Sequence, residues 1–109
     1  RESPTLTLVE RLIGKGFNVQ IYDPILNTSR LIGSNRAFLE KYLPHIDKLL
    51  VNSLDILLDN SSTIVITRKD KYLSKLAQKI ADNHAIVDLI RMPDEIIDNL
   101  EGKYYGIAW

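Results

Sequence analysis

The sequence predicts an α/β fold built on a mainly parallel sheet, and three observations favour this class. Segments with the apolar spacing of helices alternate with short β-branched segments along the chain. The strand segments of the second half are apolar at successive positions, as in parallel sheets that are buried on both faces. The chain has 109 residues, 45% apolar and 26% charged, which is ordinary for a globular protein. A single domain is therefore predicted over residues 1–109.

The first predicted elements are a helix and a strand joined by a glycine turn. The helix is predicted from Ser3, which can serve as its N-cap, to Lys15, and Gly16 helps to end it. Apolar and polar residues then alternate over Phe17–Tyr22, which is typical of a strand, and Pro24 stops the pattern.

The later elements continue the alternation. A helix interrupted at Gly33 is predicted over 27–43. The remaining predictions, in chain order, are a short strand at Leu49–Val51, a helix capped by Ser53, a strand at Thr63–Thr67, a helix from Asp70 to Ile80, a strand at Ala85–Leu89, a helix at about Asp94–Leu100 and a last strand at Tyr104–Ala108. This order indicates a Rossmann-like three-layer sandwich.

A first strand is expected to be missing from this arrangement. The helix that begins at Ser3 should follow a central strand, and no residues for such a strand precede it in the sequence. The chain also opens at Arg1 without a methionine. It is therefore predicted to be a fragment of a larger protein.

Composition excludes several classes of function. Fourteen basic residues balance fourteen acidic ones, which argues against nonspecific binding to nucleic acid or to an anionic membrane. The apolar runs fall far short of the roughly 20 residues that span a bilayer. There is no cysteine, so a disulfide, a thiolate metal site and a cysteine nucleophile are excluded, and a cytoplasmic location is favoured.

Ligands of open α/β sheets bind beyond the carboxyl ends of the strands, and this rule selects the candidate binding residues. Asp23 could hold ribose hydroxyls there, or it could serve only as the first residue of an Asp-Pro turn. Arg91 follows an apolar strand, where a guanidinium could bind a pyrophosphate through two parallel hydrogen bonds, or it could be a solvated loop residue. The basic segment Arg68-Lys69 is better explained by solvation of a helix.

No catalytic group and no metal site is predicted. His45 and His84 are interpreted as loop histidines, since neither has a carboxylate at metal-ligand spacing. Tyr104, Tyr105 and Trp109 are interpreted as core residues of a terminal strand and not as base-stacking residues. The glycine-rich turn of a dinucleotide site does not occur.

Several motifs follow one another in a specific order. They are Arg1-Glu2-Ser3-Pro4, Gly14-Lys15-Gly16 and Ile21-Tyr22-Asp23-Pro24. In this order they resemble the C-terminal domain of the UDP-glucose/GDP-mannose dehydrogenase family. Three further motifs are similar to the GDP-mannose branch of that family: Gly33-Ser34-Asn35-Arg36, Leu43-Pro44-His45 and Gly106-Ile107-Ala108-Trp109.

The resemblance implies a role in a larger enzyme. Members of the family oxidise the C6 alcohol of a nucleotide-linked sugar to a carboxylate with two NAD. They combine an N-terminal NAD-binding domain, a helical dimerisation segment and a C-terminal sugar-nucleotide-binding domain. By this resemblance NAD and the catalytic cysteine belong outside the chain, whose partners would be a GDP- or UDP-linked sugar, the rest of the dehydrogenase and, in the full-length protein, a second copy.

The resemblance also ranks the candidate binding residues. Arg91 falls where the UDP-glucose branch has an arginine that contacts the nucleotide and where the GDP-mannose branch has glycine. Arg91 is therefore the first substrate-binding candidate, followed by Asp23 and Arg1, and the choice of base stays open.

Two alternatives remain at this stage. The chain could be a stand-alone α/β module that binds a nucleotide and has no dehydrogenase parent. It could also serve mainly in subunit interaction, because active sites of the family are completed across a dimer.

Overall fold

The computed structural model describes residues 4–24 and 46–106. The chain divides into two compact units, Arg1–Leu57 and Leu58–Trp109, and the single domain over 1–109 stays a prediction. Several predictions fall outside the described residues: those for Arg1, the N-cap Ser3, the helix over 27–43, His45, Trp109 and the last residues of the Tyr104–Ala108 strand. No helix in the described part of the chain is long and apolar enough to cross a membrane.

The first unit begins with helix α1, Pro4–Gly14, which confirms the predicted first helix. The helix ends in a Schellman motif, in which the amide of Gly16 donates to the carbonyl of Ile13 (2.9 Å) and that of Phe17 to Leu12 (3.1 Å). Gly16 has φ 92°, a left-handed conformation that glycine adopts without steric cost. The sequence motif at Gly16 therefore ends the helix as expected.

A small apolar cluster forms the core of the first unit. Val9 of α1 and Leu50 are buried, and Leu6, Val19, Ile21 and Leu49 pack against them. Helix α2, Ile46–Leu49, leads into this cluster.

The strand predicted over Phe17–Tyr22 is reduced to one parallel bridge, between Ile21 and Leu50. The amide of Ile21 donates to the carbonyl of Leu49 (2.8 Å) and the amide of Val51 donates to the carbonyl of Ile21 (2.8 Å). Ile21 is the one residue of Phe17–Tyr22 that takes part in strand pairing in the described part of the chain, so the prediction of a full strand is wrong. In the predicted strand at Leu49–Val51, only Leu50 forms this bridge, because Leu49 is the last residue of α2.

Helix α3, Leu54–Asn60, is capped as the sequence predicts. The hydroxyl oxygen of Ser53 accepts hydrogen bonds from the amides of Asp55 (3.0 Å) and Ile56 (3.3 Å). A serine in this position satisfies amide groups that have no partner within the helix.

The second unit is a three-stranded parallel sheet with helices between its strands, which confirms the predicted fold class. The elements are β1 (Thr63–Ile66), α4 (Leu73–Lys79), β2 (Ala85–Asp88), α5 (Asp94–Ile97) and β3 (Lys103–Gly106), with strand order β1-β2-β3. Ile64 pairs with Ile86, and Ile86 with Tyr104. Helices α4 and α5 are both shorter than predicted. Before α4, the carbonyl and the carboxylate of Asp70 accept hydrogen bonds from the backbone amides of a turn. After α5, Asp98 and Asn99 form a turn instead of continuing the helix.

One face of the sheet is more deeply buried than the other. Ile64, Ile66, Ile86 and Asp88 alternate along β1 and β2 and are all buried. On the opposite face, Val65 is 36% exposed and Tyr105 is 54% exposed. The expected burial of both faces is therefore confirmed for one face only.

The amino-terminal edge of the sheet is closely packed around His84. This histidine is buried, and its Nδ1 accepts a hydrogen bond from the amide of Ala81 (3.0 Å), which leaves Nε2 to donate to the carbonyl of Leu58 (2.9 Å). The loop histidine expected from the sequence is thus a buried link between α3 and the loop before β2. Gly102 lies at the same edge, where an added Cβ would come within 2.5 Å of the carbonyl oxygen of His84 and 2.6 Å of Ile86.

The variant Gly102→Ala should destabilise the chain by about 1–3 kcal/mol, because the backbone carbonyl of His84 cannot move aside as a flexible side chain could. Urea unfolding followed by circular dichroism would measure this change. Gly14→Ala is the matched control: a Cβ there meets no atom within 4 Å, and stability should stay unchanged or rise by a few tenths of a kcal/mol. Equal effects of the two substitutions would contradict the steric explanation.

Candidate functional site

Adjacent parallel strands place their carboxyl ends at one edge of a sheet, and this edge of the second unit is where a ligand is expected. The segment 67–70 follows β1 and the segment 89–93 follows β2. The amide of Leu89 continues the pairing by donating to the carbonyl of Ile66 (3.0 Å). The two segments therefore start side by side at this edge.

A buried carboxylate organises the segment after β2. Asp88 is completely buried, and its Oδ1 accepts a hydrogen bond from the amide of Ile90 (2.9 Å). Its Oδ2 accepts hydrogen bonds from the amide of Met92 (2.8 Å) and from the hydroxyl of Tyr104 on β3 (2.6 Å). Both oxygens are thus satisfied, and the carboxylate links the loop after β2 to the neighbouring strand.

The titration of the two side chains reflects this contact. Burial alone would raise the pKa of Asp88, but hydrogen bonds from the Tyr104 hydroxyl and from the amides of Met92, Ile90 and Arg91 outweigh it, so the pKa lies below its usual value of 3.8. For Tyr104, burial first and then the hydrogen bond to Asp88 and its negative charge raise the pKa to about 12. The charged carboxylate and the neutral phenol are therefore the stable pair at neutral pH.

Arg91 lies inside the loop that Asp88 holds. Its φ of 59° puts it in the left-handed region, where it is the one non-glycine residue among the described residues. Its side chain is exposed. Within the described part of the chain, no ion-pair partner is found for the guanidinium.

The loop after β1 has a weaker arrangement. Arg68 approaches Asp70 at 4.0 Å, and its side chain is 50% exposed. The carboxylate of Asp70 also accepts a hydrogen bond from the amide of Tyr72 (3.0 Å) just before α4. These contacts are consistent with the interpretation of Arg68-Lys69 as solvated residues near the helix start, since an exposed pair at this distance contributes little.

The three sequence candidates have different outcomes. Arg91 lies at the carboxyl edge of the sheet, as expected for a strand-end residue. Asp23 is half-buried in the first unit, two residues after the Ile21 bridge. Arg1 lies outside the described residues. All three roles in binding stay predictions.

Sequence analysis missed the roles of Asp88 and Tyr104. Asp88 was covered by the predicted strand Ala85–Leu89 and was assigned no function, and Tyr104 was interpreted as a core residue. A usable signal was present, because a charged residue ends an otherwise apolar strand, Ala85-Ile86-Val87. A carboxylate in that position is expected to be buried only if hydrogen-bond donors surround it.

These features define a parallel α/β protein in which the carboxyl edge of the sheet presents an exposed arginine on a hydrogen-bonded loop. Over its whole length the chain is similar to the C-terminal part of proteins named GDP-mannose 6-dehydrogenase. It is 32% identical over 109 residues to the enzyme of Pseudomonas savastanoi pv. phaseolicola, 37% over 109 residues to that of Pseudomonas putida and 35% over 110 residues to that of Azotobacter vinelandii. Each match covers 100% of the chain, so the resemblance inferred from the motifs is confirmed.

The fold comparison agrees with the sequence comparison. A 1.55 Å crystal structure of a ternary complex of GDP-mannose dehydrogenase from Pseudomonas aeruginosa matches 95% of the chain with a TM-score of 0.77 and 29% identity. The chain spans about a quarter of the length of the curated relatives it matches, 24–25%. No family model matches the chain.

The variant Arg91→Gly should stabilise the chain by about 0.5–1 kcal/mol, because glycine removes the steric cost of the left-handed conformation but adds entropy to the unfolded state. Arg91→Ala should give no such gain, since alanine keeps the Cβ that causes the cost. Denaturant unfolding of both variants beside the wild type would measure the difference. An equal gain in the free energy of unfolding of both variants would indicate that the lost charge, and not the backbone conformation, causes the effect.

The free energy of unfolding should fall as the pH rises from 10.0, the usual pKa of tyrosine, towards the raised pKa of Tyr104 of about 12. In this window the folded state keeps the Tyr104 proton that the unfolded state has released, so deprotonation favours unfolding. The variant Tyr104→Phe should show a shallower decline of the free energy of unfolding than the wild type. Urea titrations from pH 9 to 12 would measure this, and a wild-type slope in Tyr104→Phe would exclude the coupling.

Proposed function

We propose that the chain is the sugar-nucleotide-binding domain of an NAD-dependent nucleotide-sugar 6-dehydrogenase. Such an enzyme oxidises the C6 alcohol of the sugar to a carboxylate, and two NAD accept the four electrons removed. The observation that carries this proposal is the match of the whole chain to the C-terminal quarter of enzymes named GDP-mannose 6-dehydrogenase. Their names make GDP-mannose the first substrate to test.

In this proposal the chain binds substrate and does not carry out the oxidation. It has no cysteine and no glycine-rich turn for a dinucleotide, so NAD and the catalytic cysteine belong to other parts of the parent enzyme. The parent is proposed to act in the cytoplasm as a homodimer, as the family resemblance implies. In this proposal the chain therefore acts together with the NAD-binding and catalytic parts of the same enzyme.

Arg91 is proposed to bind the pyrophosphate of the sugar nucleotide. It lies beyond the carboxyl end of β2, where ligands of parallel sheets bind. A guanidinium can donate two parallel hydrogen bonds to phosphate oxygens, and the exposed side chain of Arg91 can be approached by a diphosphate. Asp23 and Arg1 are proposed as further contacts, with Asp23 suited to hydroxyl groups of a ribose or sugar.

Arg91→Ala should weaken the binding of GDP-mannose to the full-length protein by about 1.5–3 kcal/mol, the usual effect of removing a charge-assisted hydrogen bond. Isothermal titration calorimetry with GDP-mannose and with UDP-glucose would measure affinity and show which base is preferred. Arg11→Ala is the matched control, because Arg11 is exposed on α1 and its loss removes the same charge. Unchanged affinity of Arg91→Ala for both ligands would refute the assigned contact.

The isolated chain should form no NADH from GDP-mannose or UDP-glucose, because the groups that bind NAD and carry out the chemistry lie elsewhere in the proposed enzyme. Absorbance at the NADH band, compared with a buffer control, would measure this. The full-length protein serves as the positive control. NADH production by the purified 109-residue chain would overturn the assignment of a binding role alone.

A further inference from the structure

The hydroxyl of Tyr104 supplies the one side-chain hydrogen bond that Asp88 receives among the described residues. The O–O distance is 2.6 Å, and the other donors to this carboxylate are backbone amides of the loop after β2. Tyr104 belongs to β3, whereas the loop belongs to β2. The hydrogen bond from Tyr104 therefore holds the loop after β2 from the neighbouring strand β3.

The geometry of the sheet brings these two side chains together. Asp88 pairs in register with Gly106, and Tyr104 pairs with Ile86. Asp88 and Tyr104 are thus diagonal neighbours on one face, a separation that a long aromatic side chain can span. At the register position beside Asp88, Gly106 has no side chain.

The loop that results holds a conformation that arginine does not favour. Arg91 keeps φ 59° while the amides on either side of it, from Ile90 and Met92, donate to the Asp88 carboxylate. A left-handed non-glycine residue persists only where its surroundings over-determine the backbone. Here the surroundings are the carboxylate and, through it, the phenol of Tyr104.

We propose that Tyr104 is a positioning residue, which holds Asp88 so that the 89–92 loop presents Arg91 to the nucleotide before the ligand arrives. The inference rests on the proposed function, in which Arg91 binds the pyrophosphate. A guanidinium placed in advance loses less conformational freedom on binding than one on a mobile loop. Tyr104 itself does not touch the ligand in this scheme.

A double-mutant cycle in the full-length protein tests the proposal, with GDP-mannose as the ligand. Tyr104→Phe should raise Kd and KM about three- to tenfold with kcat within about twofold of wild type, since it removes only preorganisation. Arg91→Ala should raise Kd about ten- to a hundredfold. The double variant should bind no more weakly than Arg91→Ala, because the two residues act through one contact.

Tyr105→Phe is the matched control for the aromatic substitution. Tyr105 is the next residue of β3, is 54% exposed and lies on the opposite face, so its variant should bind GDP-mannose with wild-type affinity. A purely structural role of Tyr104 would weaken binding to the same degree with or without Arg91. Additive effects of Tyr104→Phe and Arg91→Ala would therefore overturn the proposal.

Amide hydrogen exchange supplies a second readout that needs no activity. In Tyr104→Phe, the amides of Ile90 and Met92 should exchange faster than in wild type, and in Tyr105→Phe they should not. Unchanged protection of both amides in Tyr104→Phe would overturn the positioning role. If Arg91→Ala leaves the affinity unchanged, the proposed pyrophosphate contact of Arg91 fails together with this inference. If only Tyr104→Phe has no effect, that contact stands and this inference alone fails.

Discussion

The carboxylate of Asp88 is the group on which the carboxyl edge of the sheet depends. An ionised carboxylate without water is very unfavourable unless donors replace its solvation, and here the donors come from the loop after β2 and from Tyr104 on β3. Because the same hydrogen bonds satisfy the charge and shape the loop, the loop cannot change conformation without leaving a buried charge partly unsatisfied. The conformation of the loop and the low pKa of Asp88 thus have one common cause.

The two edges of this sheet are built differently. At the amino-terminal edge, His84 has both ring nitrogens bonded to backbone groups, and Gly102 leaves no room for a Cβ. That edge is closed by close packing and by local backbone contacts. At the carboxyl edge, hydrogen bonds to Asp88 hold the loop while Arg91 remains exposed. This asymmetry agrees with the general rule that parallel α/β proteins bind ligands beyond the carboxyl ends of their strands.

Much of the fold could be predicted because local signals and packing agree. The Ser53 cap, the glycine end of α1 and the β-branched run of β1 each act within a few residues, and the structure contains all of them. The prediction of a full strand over Phe17–Tyr22 was wrong because the alternation of apolar and polar residues shows which side chains share a face. It does not show how many backbone hydrogen bonds the segment makes with a neighbouring strand. The Asp88–Tyr104 contact depends on register, and a slip of one residue would place Tyr104 on the other face. No local sequence signal indicates a left-handed arginine.

The conformation of Arg91 links the stability of the chain to the binding role proposed for this residue. A non-glycine residue in the left-handed region costs roughly 1–2 kcal/mol, and glycine at this position would avoid that cost. Among the described residues, no ion pair of Arg91 offsets this cost in the folded state. A charge-assisted hydrogen bond to a phosphate contributes about 1.5–3 kcal/mol, which exceeds the cost, but only in the complex. The balance therefore favours arginine over glycine at this position when a bound anion completes the site, and it favours glycine when nothing binds there.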